Sequence, residues 1–106
     1  LSTALIFEII EEKKLNIKKI VLASSQATYG EGKYECKNHG IQYPEGRKVE
    51  QLDEADWEMH CPQNGCSEYL KPVLIDEAVM NPFTAYGISK EALERVAHKL
   101  GRRYGI

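Results

Sequence analysis

No stretch of this 106-residue chain has the ~20 consecutive apolar residues that a helix needs to cross a bilayer, which excludes a membrane span of that kind. Basic residues are not in excess either. Fourteen Lys and Arg stand against 16 Asp and Glu, and the net charge of -2 is mixed along the chain. That leaves neither an electrostatic footprint for nucleic acid nor a polybasic patch for anionic lipid. No secretory signal pattern is visible, so a soluble cytoplasmic protein is the expectation. Cysteine is scarce and odd in number, three in all, which cannot close into a disulfide framework by itself and points to reduced thiols and metal. The apolar fraction of 42% is ordinary for a soluble globular domain, and the length suffices for one small core.

Thr3 to Lys14 places Leu5, Ile6, Ile9 and Ile10 on one side, with Glu8, Glu11, Glu12 and Lys13 largely on the other. This is the pattern of an amphipathic helix covering a sheet. Asn16 stands where that helix should end. After Lys18-Lys19, the run Ile20-Val21-Leu22-Ala23 has the short, continuous apolar character of a strand buried on both faces. Helix, buried strand and helix imply an α/β fold with a parallel sheet, whose ligands lie beyond the carboxyl ends of the strands, where Ser24 and Ser25 fall. Taken alone, the two serines are as well explained by a polar strand end turning into a loop.

From Glu31 to about Pro72, glycine, proline and charge dominate and the hydrophobic period is lost, as in an insertion without regular structure. The chain is thereby divided into residues 1–30, an insertion over 31–72, and residues 73–106. Within the insertion lie Cys36-x-x-His39 and Cys61-x-x-x-x-Cys66. Three thiolates and one imidazole match a closed tetrahedral zinc site, and a loop of this length needs some such staple. The second pair has four intervening residues, where a tight zinc turn usually has two. His60, beside Cys61, is an alternative ligand, and unlinked reduced thiols are the alternative to a metal.

Pro72-Val-Leu-Ile-Asp-Glu77 is a short apolar piece that runs along a sheet or leads into the next helix. Asn81-Pro82-Phe83-Thr84 then supplies helix-start chemistry, with Asn81 or Thr84 as cap. Ile88, Ala92, Val96 and Leu100 form the expected buried stripe, and Gly105 suits the stop. Tyr86 and Lys90, one turn apart, stack on one face. An ammonium fixed beside a phenol favours the phenolate and makes it a usable acid and base.

An apolar strand ending in Ser24-Ser25, then x-x-x-Tyr29-Gly30, followed by Pro82-x-x-x-Tyr86-x-x-x-Lys90, resembles the extended short-chain dehydrogenase/reductases, in particular the NAD-dependent nucleotide-sugar epimerases and dehydratases. The segments Tyr34-Glu-Cys36, His39-Gly40, Trp57-Glu58 and Cys61-Pro62 are similar to the cysteine-bearing insertion of the dTDP-L-rhamnose 4-epimerase group. The resemblance implies a Rossmann-type doubly wound parallel sheet interrupted by the Cys/His-containing insertion. It also implies NAD as cofactor, contacted by Ser24, Tyr86 and Lys90, and a nucleotide-sugar substrate contacted by Ser25, Gln26 and Ala27.

In the implied reaction, epimerisation at C4 through a 4-keto sugar, Tyr86 is the general base, Lys90 bonds the nicotinamide ribose, and Ser25 bonds the reacting oxygen. The related dehydratases carry an acidic pair immediately after the position of Ser25, whereas this chain has Gln26 and Ala27, which cannot exchange protons. Epimerase is therefore favoured over dehydratase. A reductase of the same superfamily, and a non-catalytic metal-stapled interaction fragment, are the alternatives. The glycine-rich phosphate turn of a dinucleotide fold is missing from these residues, so an internal piece of a larger enzyme is expected. That enzyme is expected to be a homodimer through the helix that begins at Thr84.

Overall fold

A computed structural model describes residues 2–106, which divide into two units, 2–28 with 84–106, and 29–83. In the first unit, helix α1 (Ser2–Glu12) buries Thr3, Phe7 and Ile10, spaced as one narrow stripe. Leu5, Ile6 and Ile9, expected on the covered side, are exposed. The helix is turned so that the largest ring faces its neighbour: Phe7 stacks on Tyr104 with ring centroids 6.1 Å apart. Tyr104 belongs to α3 (Ala85–Tyr104), and its hydroxyl bonds Glu11 of α1. That carboxylate, and burial after it, raise the Tyr104 phenol above its ordinary value of 10.0.

Helix α3 begins and ends as its sequence dictates. The Thr84 hydroxyl accepts the Gly87 N–H at 3.0 Å, satisfying one of the first-turn donors that have no intrahelical partner. Gly105 ends the helix in the left-handed region, φ 71°. Its expected stripe is only partly covered. Ile88 and Ala92 are exposed, and the two buried residues are Gly87 and Gly101.

The expectation of a doubly wound parallel Rossmann sheet is overturned. Ile20–Ala23 forms no strand, and Val21 is 89% exposed. A strand exists only through a hydrogen-bonding neighbour, and among the described residues this run has none. The sheet lies instead in the second unit, is antiparallel, and is built from the segment expected to be irregular. Strands β1 (Lys33–Cys36), β2 (Gly40–Gln42) and β3 (Lys71–Val73) are ordered β2-β1-β3. The register sets Cys36 opposite Gly40, Tyr34 opposite Gln42, and Lys33 opposite Val73. A hairpin needs only a short turn where a parallel pair needs a long crossover, so antiparallel pairing is the economical solution here. Pro72 is tolerated because β3 is an edge strand.

A second, shorter hairpin lies C-terminal to helix α2 (Val49–Asp53). His60 bridges Tyr69, Leu70 donates to the Met59 carbonyl at 2.7 Å, and Cys61 donates to the Glu68 carbonyl at 3.0 Å. The core of this unit is small: Cys36, Met59, Cys61 and Leu70, with Tyr34 and Cys66 packed against it. Two of its four fully covered side chains are thus cysteines. Gly30, at φ +67°, passes so close to the Asn81 carbonyl that any β-carbon would collide with it.

Candidate metal centre and the polar row of the last helix

The two hairpins bring their turns together, and each turn supplies one ligand pair. Cys36 ends β1, and the turn Lys37-Asn38-His39 reverses the chain into Gly40, whose φ of 65° is the left-handed value a glycine takes without strain. Cys61 and Cys66 flank the turn of the second hairpin, which the Cys66 N–H closes on the Gln63 carbonyl at 3.0 Å. The donor atoms of Cys36, His39, Cys61 and Cys66 all lie within 4.8 Å of one another.

Three of the six separations are those of tetrahedral coordination. Zn–S bonds of about 2.3 Å and a Zn–N bond of about 2.0–2.1 Å, meeting at the tetrahedral angle, set sulfurs about 3.8 Å apart and sulfur and nitrogen about 3.6 Å apart. The sulfur of Cys36 and that of Cys61 each lie 3.6 Å from His39 Nδ1, and the sulfurs of Cys36 and Cys66 are 3.9 Å apart. Three soft thiols and one imidazole, closed around a point with no carboxylate, suit zinc in a structural role. This cluster can hold a metal such as zinc.

Electrostatics at the cluster are uneven. Burial opposes ionisation of Cys36, but the N–H groups of Asn38 and His39 and the His39 ring outweigh it, bringing the thiol down to about 7. For Cys61 burial prevails over the Gln63 N–H and, with the neighbouring sulfurs, pushes the thiol up to about 11. Without a cation the Cys61 sulfur resists ionising beside Cys36, and a divalent ion removes that conflict by binding both.

His60 takes no part. Its Nε2 lies 2.6 Å from Asp56 Oδ2 and its ring meets Tyr69 edge-on at 4.9 Å. The alternative ligand set with His60 is therefore not the one the fold assembles. Gln42 and Gln63, which the sequence does not single out, lie beside the ligands and bond each other at 3.0 Å.

In the other unit, Tyr86, Lys90 and Glu94 follow one another along α3 at four-residue spacing. The Lys90 Nζ lies 5.9 Å from the centroid of the Tyr86 ring and donates to the Ala23 carbonyl at 2.9 Å. Tyr86 is 58% exposed. The Ser24 hydroxyl donates to the Glu94 carboxylate. Ser25 is turned inward on its own backbone: its hydroxyl accepts the Ala27 N–H at 3.2 Å, and its carbonyl accepts the Thr28 hydroxyl at 2.8 Å. These bonds wind Gln26–Tyr29 into a single 3₁₀ turn. Lys90 and Glu94 thus tie the helix to the run that carries the serines, while no bond joins Ser25 to Tyr86. Glu94 was legible in principle, because Tyr86, Lys90 and Glu94 share one face by spacing alone.

Fold and cluster together define two units, a small antiparallel one with a Cys₃His group that can hold a metal, and a two-helix one. No protein-family model matches the chain, and no solved structure matches it. Over 94 residues it is 30% identical to a dTDP-L-rhamnose 4-epimerase of Burkholderia thailandensis, which covers 89% of this chain and 24% of that protein. The chain therefore spans about a quarter of the length of the curated relative it matches, a partial similarity to a nucleotide-sugar epimerase. No helix among the described residues is long and apolar enough to cross a membrane.

Proposed function

We propose that this chain is a zinc-stapled segment of a nucleotide-sugar epimerase, in which Cys36, His39, Cys61 and Cys66 hold a structural zinc ion. The observation that carries this is the match between the sulfur–sulfur and sulfur–nitrogen separations and those of tetrahedral S₃N coordination. The zinc closes the two hairpins on each other and takes no part in bond-making, because a fourth protein ligand leaves no open position for water or substrate. The test is metal analysis of the protein purified under reducing, chelator-free conditions. About one zinc per chain is expected, and a trace amount overturns the reading.

The finer reading is epimerisation at C4 of a nucleotide hexose. It is favoured by the similarity to a 4-epimerase and by the placement of Lys90 one turn beyond Tyr86. In such a reaction a nicotinamide supplies the hydride chemistry. The described residues form neither the glycine-rich phosphate turn nor the parallel sheet that would seat a dinucleotide, so they do not by themselves fit NAD. What they offer is a group for proton handling, the exposed phenol of Tyr86, with the Lys90 ammonium 5.9 Å from its ring centroid. Ser25, Gln26 and Ala27 lie on a turn whose backbone is held by its own hydrogen bonds and offers short side chains to a sugar. Proton NMR of a panel of nucleotide hexoses, incubated with the full-length enzyme that contains this segment and with its Tyr86→Phe variant, tests this. A 4-epimer that disappears in the variant supports it, and no conversion of any sugar counts against it.

A further inference from the structure

The cluster draws its ligands from two hairpins, so contacts outside the coordination sphere help to set the separation of those hairpins. One sulfur–sulfur contact at 3.9 Å does not fix the orientation of two hairpins. Two neutral side chains span the gap. Gln42, at the end of β2, is buried, yet all of its polar atoms are engaged. Its Nε2 donates to the carbonyl of His39 and to that of Ile41, each at 2.9 Å, and its Oε1 accepts from Gln63 Nε2 at 3.0 Å. Gln63 sits in the turn between Cys61 and Cys66, and its backbone serves both cysteines. Its carbonyl accepts the Cys66 N–H at 3.0 Å, and its own N–H favours the Cys61 thiolate.

We propose that Gln42 and Gln63 form a positioning bridge that sets the Cys36/His39 turn and the Cys61/Cys66 turn at zinc-binding distance. The inference rests on the zinc reading above and extends it to two residues that touch no metal. One amide fixes the backbone of the histidine ligand, the other fixes the turn carrying two cysteine ligands, and a single hydrogen bond joins them. Groups that orient metal ligands from outside the coordination sphere typically change metal affinity by about 10–100-fold when removed. The bridge carries no charge, so it holds whatever the ionisation of the thiols.

The experiment compares the unaltered chain with Gln63→Leu and Gln63→Lys. Gln63 is exposed, so leucine there disturbs no packed neighbour, and lysine keeps a donor that can reach Gln42 Oε1. Zinc affinity and the rate of zinc transfer are read by competition with a chromophoric chelator. The ligand set is read from the thiolate-to-metal absorption of the cobalt(II)-loaded protein, and the stability of the metal-free forms by thermal unfolding. Gln63→Leu is expected to weaken zinc binding by about 10–100-fold and to hasten transfer, while the cobalt spectrum keeps its three-thiolate intensity. Gln63→Lys is expected to restore most of the affinity. Unchanged affinity in Gln63→Leu, or equal losses in both variants, overturns the bridge while leaving the zinc reading intact. An unaltered chain that takes up neither metal overturns both.

Discussion

Cys36 and Cys66 stand thirty residues apart in the chain, yet their sulfurs lie 3.9 Å from each other. Neither belongs to a disulfide. The contact joins two hairpins through the most deeply buried side chain of the unit, since Cys36 is 1% exposed. Coordination and packing therefore depend on the same residue. Cys36→Ser is expected to abolish stoichiometric zinc and, by putting a hydroxyl into the core, to loosen the unit built on Met59, Cys61 and Leu70. Chelation of the unaltered protein should produce the same loss of near-ultraviolet circular dichroism from Tyr34 and Trp57, because metal binding and folding free energy are one quantity in a unit this small. A chelated protein with an unchanged spectrum would show that the hairpins stand without metal.

The helix carrying Tyr86 and Lys90 depends at its start on one hydroxyl. Thr84→Ala removes the acceptor for the Gly87 N–H and should cost about 1 kcal/mol, within the usual range for lost N-caps. The loss should fall on the first turn, where Tyr86 sits. Hydrogen exchange of the amides from Tyr86 to Lys90 is the measurement, with faster exchange expected there and little change near Tyr104.

Gly30 combines a left-handed φ with a carbonyl in the place a β-carbon would occupy. Gly30→Ala cannot be relieved by rotating a side chain, because the obstacle is the Asn81 backbone. A destabilisation of about 1–3 kcal/mol is expected from the strain alone, with the collision added to it. Denaturant unfolding measures it, and a change below about 0.5 kcal/mol would mean that the segment from Tyr29 to Asn81 is free to shift.

The pair formed by Asp56 and His60 makes stability depend on pH in one direction. The Glu58 N–H and then the His60 ring hold the Asp56 carboxyl below its ordinary value of 3.8. A carboxyl whose folded value is depressed contributes stability that is fully present above the unfolded value and is lost as pH falls through the folded one. Asp56→Asn should therefore be less stable than the unaltered chain at pH 6, and the gap should close as the pH falls below 3.8. A gap that stays constant over that range would show that the carboxylate charge contributes nothing.

Local rules carried the reading of the chain as far as local physics reaches. The last helix, its Thr84 cap and its Gly105 stop follow from hydroxyl capping and glycine permissiveness, and all three are where the sequence puts them. The metal cluster was legible for a similar reason: few side chains ligate soft metals, and four of them in two close pairs leave few other uses. The strand expected at Ile20–Ala23 went wrong because an apolar run specifies burial but not a partner, and a ladder needs both. The sheet at Lys33–Val73 was missed for the converse reason. Its strands are only three or four residues long, too short to show a period from which to read them.

What the sequence determined by itself, then, were the ends of a helix, the spacing of Tyr86, Lys90 and Glu94 along it, and three cysteines with a histidine near each pair as candidate metal ligands. The tertiary structure alone decided that His39 and not His60 joins the three sulfurs, that Gln42 reaches Gln63, and that the sheet is antiparallel. Those outcomes depend on contacts between residues some twenty to forty positions apart in the chain, and such contacts are settled by the packing of two hairpins, which leaves no periodic mark on the residues that make it.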